Sequence, residues 1–105
     1  MNKITIMDGG MGQELIHRSS QPASPLWSAH VMMNEPEIVE AVHREYIAAG
    51  ATILTLNTYS ATPERLARDA SEDLFEPLQS KAIEIATKAK ADTNTQIAGC
   101  LSPLY

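Results

Sequence analysis

The chain has 105 residues, of which 44% are hydrophobic, 20% charged and 5% aromatic, and it carries a net charge of -5. This balance is that of an ordinary globular segment, not a disordered or fibrous one, and the length holds at most one small domain. The eight basic residues are scattered, with Lys88 and Lys90 the densest group, which argues against a nucleic-acid partner because phosphate binding relies on clustered Lys and Arg. A single cysteine, Cys100, excludes an internal disulfide framework and fits a reducing compartment, so a cytoplasmic location is expected. No run approaches the roughly 18 apolar residues of a membrane span, and the N-terminus carries the acidic Asp8 in place of a basic region followed by an apolar one.

In chain order, Ile4-Thr5-Ile6-Met7 reads as a short buried strand, followed by a glycine turn and a short helix from Met11 to about Arg18. Residues 19–25 are turn-rich and without apolar period, and read as an irregular excursion before Leu26-Trp27-Ser28-Ala29. A helix is expected from near Glu35, with Asn34 as its cap, Glu37 completing a capping box and Pro36 in the first turn. Ile38, Val42, Tyr46 and Ala49 mark its buried face, and Gly50 ends it. The β-branched run from Ala51 to Asn57 predicts a second buried strand. Pro63 opens a short helix to about Arg68, and the acidic residues from Asp69 to Asp73 read as solvated surface, as does Glu76. Leu78, Ala82, Ile85 and Ala89 predict a further helix, its buried face widened by Ile83 and Ala86, and Gln96-Ile97-Ala98-Gly99 begins a third strand.

Strands alternating with helices of this length imply parallel βαβ units, and hence an α/β fold. Three strands are few for such a sheet. Parallel sheets need both faces covered and a closed barrel takes about 250 residues, so residues 1–105 read as one partial domain, the opening third of a larger unit.

The segment Asp8-Gly9-Gly10-Met11-Gly12-Gln13-Glu14-Leu15 places a carboxylate where a strand hands over to a helix, beside glycines that let a ligand approach the backbone. The competing local reading is a turn whose aspartate caps the next helix. Gly10-Met11-Gly12 lacks the third glycine of a dinucleotide fingerprint, and no Gly-Lys-Ser/Thr follows for a P-loop. His17, His30 and His43 lack the i, i+4 spacing of a helical metal pair and read as surface or satisfied histidines. Trp27 reads as a core or loop anchor.

Several segments taken in order resemble the homocysteine S-methyltransferases, the homocysteine-binding domain family. They are the Asp8 to Leu15 stretch, Pro25-Leu26-Trp27-Ser28-Ala29, Pro36 with His43 through Tyr46 and Ala49-Gly50-Ala51, Thr55 through Thr62, and Ala98-Gly99-Cys100-Leu101-Ser102-Pro103. The resemblance implies a (β/α)8 TIM barrel with its site at the carboxyl ends of the strands. It also implies methyl transfer from an onium donor, of S-methylmethionine, S-adenosylmethionine or betaine type, to a zinc-bound homocysteine thiolate, giving methionine. On this resemblance Asp8 would hold the ammonium of homocysteine. Backbone N–H groups of Gly9, Gly10 and Met11 would receive its carboxylate, and Asn57, Thr58 and Tyr59 would line the pocket.

The family's zinc ligands are cysteines of the later barrel, and the 105 residues stop short of them, inside what reads as a βα loop. Cys100 falls where relatives carry a small residue, and a lone thiolate makes no zinc site when three protein ligands are the catalytic norm. Cys100 is expected to be a buried small side chain. No catalytic residue and no metal ligand is therefore assigned to this chain; zinc is expected in the full-length family and not on this chain alone, which is expected to be inactive. The alternatives are a non-catalytic binding or assembly module, self-associating through the open sheet edge, and a sister enzyme using another thiol or donor on the same fold.

Overall fold

The computed structural model describes residues 4–20, 22, 26 and 28–101. The described residues form five α-helices and two short strands, in the order α1 (Gly12–Arg18), α2 (Ser28–Asn34), α3 (Pro36–Ala48), β1 (Ile53–Thr55), α4 (Pro63–Asp69), α5 (Phe75–Lys90) and β2 (Gln96–Ala98). β1 and β2 pair in parallel, with Thr55 opposite Ala98. On the other side of β1 the first extended segment runs parallel too, through a bridge between Met7 and Ile53 and hydrogen bonds from Thr52 N to Ile6 O and Asp8 N to Ile53 O. Three parallel segments thus lie side by side, and their carboxyl ends open on the same edge.

Local chemistry sets the helix ends. α3 closes on a Schellman turn, in which Gly50 N–H donates to Ile47 O and Ala51 N–H to Tyr46 O. Gly50 sits at φ 116°, a conformation that a side chain would strain. α4 starts with Pro63 in its first turn and with the Thr62 side chain accepting from Arg65 N–H. α3 packs chiefly on α5 and α2. The core between the helices holds Leu15, Met32, Val39, Val42, Leu66, Leu78, Ala82 and Ile85, with Met11, Tyr46, Leu56 and Phe75 packed against it.

Several expectations are corrected. The first segment is not a buried strand: Ile4 is 88% exposed and Ile6 53%, because only its β1 side is paired and no described element covers it. Between the excursion expected at residues 19–25 and Glu35, where no helix is expected, α2 occupies Ser28–Asn34. Asn34 is therefore the last residue of α2 and donates to His30 O; Glu35 is the N-cap of α3, without a side-chain cap, so there is no capping box. The buried face of α3 is Val39, Val42 and His43; Ile38 and Tyr46 are half-buried and Ala49 is exposed, because α5 and α2 press on a stripe turned from the expected one. On α5, Leu78, Ala82, Ile85, Ala86 and Ala89 are buried as expected, whereas Ile83 is 51% exposed. The second strand contracts to Ile53–Thr55, with Leu54 fully buried and its neighbours half-buried. Trp27 and residues 102–105 lie outside the described residues. Among the described residues no helix is long and apolar enough to cross a membrane.

Candidate functional site

The common edge of the parallel segments holds a cavity of about 370 Å3. The first segment lines it with Asp8, Gly9, Met11 and Gly12, the end of β1 with Thr55, Leu56, Asn57 and Tyr59, and the end of β2 with Cys100. Asp8 is the only formally charged side chain among these lining residues.

Asp8 is fixed from the neighbouring strand. Its Oδ2 accepts from Thr55 N–H and its Oδ1 from the Thr55 hydroxyl, both at 2.9 Å, while its own N–H donates to Ile53 O at 3.0 Å. The local reading of Asp8 as a helix cap is thereby set aside. The N-cap of α1 is Met11, with no side-chain cap, and the aspartate serves the strand end. A carboxylate has about four acceptor positions, and Thr55 takes one on each oxygen.

The glycine turn is held from the helical side. Tyr46 of α3 donates its hydroxyl to Gly10 O at 2.7 Å. A Cβ on Gly9 would come within 2.9 Å of that same hydroxyl oxygen, so the tyrosine seats against a backbone that only glycine leaves open.

Of the sequence-proposed site residues, Asp8, Gly9, Met11, Asn57 and Tyr59 meet in this cavity. Gly10 is beside it and contributes its carbonyl to Tyr46. Thr58 is buried, turns toward Cys100 O at 3.5 Å and lines an adjoining cavity of about 430 Å3 that shares Cys100. Asn57 is buried and Tyr59 is partly exposed at the rim. Sequence reasoning missed Thr55, which looks like any β-branched strand residue, and Ser60, whose buried hydroxyl donates to Leu26 O and accepts from Ala29 N–H, tying this loop to the start of α2.

Cys100 is half-buried, and its thiol is pushed up from the ordinary value by loss of solvent and then by the negative charge of Asp8. Both effects disfavour the free thiolate, the form in which a cysteine acts as a nucleophile. Among the described residues no group of three or more His, Cys, Asp or Glu could hold a metal ion. Asp8 and Cys100 are the only such side chains in the cavity lining, short of the three protein ligands of a catalytic zinc, so these residues do not fit a zinc site. The histidines do not change this: His17 is exposed, His30 lies beside Asn34, and His43, expected at the surface or satisfied, is fully buried with neither ring nitrogen hydrogen-bonded.

A parallel α/β unit with a cavity at the carboxyl ends of its strands is the class of protein that this fold and site define. A family model described as homocysteine S-methyltransferase matches residues 5–105. Homocysteine S-methyltransferase of Escherichia coli (strain K12) is 39% identical over 88 residues, covering 83% of this chain and 28% of that relative. Homocysteine S-methyltransferase 1 of Arabidopsis thaliana is 37% identical over 86 residues, covering 81% of this chain and 26% of the relative. The crystal structure of the homocysteine methyltransferase MmuM from Escherichia coli, metallated form, superposes with a TM-score of 0.81 at 35% identity, over 97% of this chain and 38% of that one. The chain belongs to the homocysteine S-methyltransferase family, and it spans about a quarter of the length of these curated relatives.

Proposed function

We propose that residues 1–105 form one partial domain, the first three βα units of a (β/α)8 barrel, and carry the amino-acid end of a homocysteine pocket. The observation that carries this reading is the Asp8 carboxylate, held by two hydrogen bonds in a cavity with no other formal charge. Such a group rewards a ligand ammonium with a charge-assisted hydrogen bond. The ligand carboxylate is assigned to backbone N–H groups of the Gly9-Gly10-Met11 turn, Asn57 and Tyr59 to the wall on the homocysteine chain, and Thr58, in the adjoining cavity, to the side of the incoming donor.

The reaction of the whole protein is methyl transfer from an onium donor to homocysteine, giving methionine, in a reducing cytoplasmic setting. Zinc supplies thiolate activation in this reading of the family, and because the described residues do not fit it, no step through the metal is assigned to them. The 105-residue chain alone is accordingly expected to bind homocysteine without turnover. Calorimetric titration with L-homocysteine, on the native sequence and on Asp8→Asn, tests the binding; equal affinity for the two proteins, or none for either, removes the reading. Methionine formation by the same chain with zinc, homocysteine and S-methylmethionine would overturn the expected inactivity.

A second reading, a non-catalytic assembly module, is favoured by the uncovered first segment with Ile4 and Ile6 outward. Light scattering separates the two. A defined, well-folded oligomer that buries this edge and is indifferent to homocysteine favours the module.

A further inference from the structure

We propose that Thr55 is a positioning residue that sets the Asp8 carboxylate for a primary ammonium and so makes the cavity select α-amino acids over their des-amino analogues. The proposal rests on the homocysteine reading above and adds to it the residue that confers the selectivity.

The outer torsion of an aspartate is broad and roughly two-fold, so a carboxylate on a strand end ordinarily swings among several orientations. Here one residue reaches both oxygens, with the Thr55 N–H on Oδ2 and the Thr55 hydroxyl on Oδ1, each at 2.9 Å. Two bonds from one residue to the two oxygens of one carboxylate fix its plane. The donor is itself rigid: Thr55 lies on the middle of the three parallel segments, in register with Ala98, and the next residue, Leu56, donates to Ala98 O. Each oxygen keeps acceptor capacity, and Asp8 borders the cavity. An ammonium has three donors and can use that capacity, whereas a ligand without an amino group gains nothing from it. Orientation of the carboxylate in advance therefore matters to amine-bearing ligands alone.

This separates Thr55 from a residue that merely stabilises the strand. Thr55→Val keeps the branched shape and the backbone N–H and deletes only the hydroxyl donor, and Thr55→Ser keeps the donor. Calorimetry on the 105-residue chain, with L-homocysteine and with 4-sulfanylbutanoate as its des-amino analogue, reads the difference. Thr55→Val is expected to weaken L-homocysteine roughly tenfold, the scale of one hydrogen bond to a charged group, with the analogue unchanged and Thr55→Ser close to the native chain.

Equal weakening of both ligands by Thr55→Val, or of neither, overturns the proposal. The underlying reading fails differently, through an Asp8→Asn chain that binds L-homocysteine as well as the native one or through a native chain that does not bind it. Thermal unfolding of each variant confirms that the compared proteins are folded, and Thr55→Ala carries the same test should the valine variant not fold.

Discussion

The helical layer and the first extended segment of this chain differ sharply in what covers them. Leu15, Met32 and Leu66 are completely buried among the helices, whereas Ile4, Ile6 and Met7 lie more than half in solvent. Yet Asp8, the residue after Met7, is held at three atoms, with its N–H on Ile53 and both carboxylate oxygens on Thr55. The site is therefore held by bonds from β1 and α3, and burial of its own segment contributes little. A cavity carboxylate can be fixed in place on a segment whose apolar side chains are not covered.

The largest effects should fall on the helical side. Met32→Ala removes a fully buried side chain from the core and should cost about 2 to 5 kcal/mol. Ile4→Ala, on a side chain that is almost entirely in water, should stay within about 0.5 kcal/mol. Urea unfolding of the two variants checks the contrast. Comparable losses would mean that the first segment is covered in solution.

At the junction of the two regions a smaller effect is expected from Gly9→Ala. The new Cβ would meet the Tyr46 hydroxyl at 2.9 Å and its ring at 3.1 Å, on a residue that packs against the core. Overpacking of this kind costs about 1 to 3 kcal/mol, and it should also push Tyr46 off Gly10 O and weaken L-homocysteine binding. Gly10→Ala meets nothing within 4 Å and should be nearly neutral. Tyr46→Phe removes the clashing oxygen, so in a double-mutant cycle it should cost less in the Gly9→Ala background than in the native one. Strict additivity would show that the tyrosine does not seat against this turn.

These contacts also mark where the sequence stops being readable. α5 and the β1–β2 pair are legible because their apolar residues recur at helical spacing or form short β-branched runs bounded by turn residues. α2 is not, because Ala29, Val31, Met32 and Met33 form a near-continuous apolar stretch without a helical period, and because one residue, Glu35, separates it from α3. That single-residue break makes Asn34 look like a cap when it ends a helix. In the site, Asp8 and its glycines stand out by their own chemistry. Thr55 and Tyr46 do not, since a threonine in a strand and a tyrosine on a helix face acquire their roles only when the fold brings them to Asp8 and Gly10. The identity of a ligand-facing group is local, whereas the identity of what holds it is tertiary.

The smallest effect is expected from a buried imidazole of the helical layer. His43 is fully buried on α3, neither ring nitrogen has a partner, and its pKa lies below the ordinary 6.5, chiefly through loss of solvent and against an upward pull from the charge of Asp8. The sign follows from proton binding. Below about pH 6.5 the unfolded chain takes up a proton that the folded chain refuses, so stability is complete above that pH and falls as pH drops toward the folded pKa, by at most about 1.4 kcal/mol per pH unit. His43→Leu loses no hydrogen bond, so it should be neutral or stabilising at pH 7.5, and its advantage over the native chain should widen at pH 5.5. Parallel stability curves for the two proteins would show that His43 finds a partner in solution. Because Asp8 opposes the downward shift, Asp8→Asn should lower the imidazole pKa further in an NMR titration. That displacement would couple the buried helical face to the cavity carboxylate, the one charge that the uncovered segment delivers to the site.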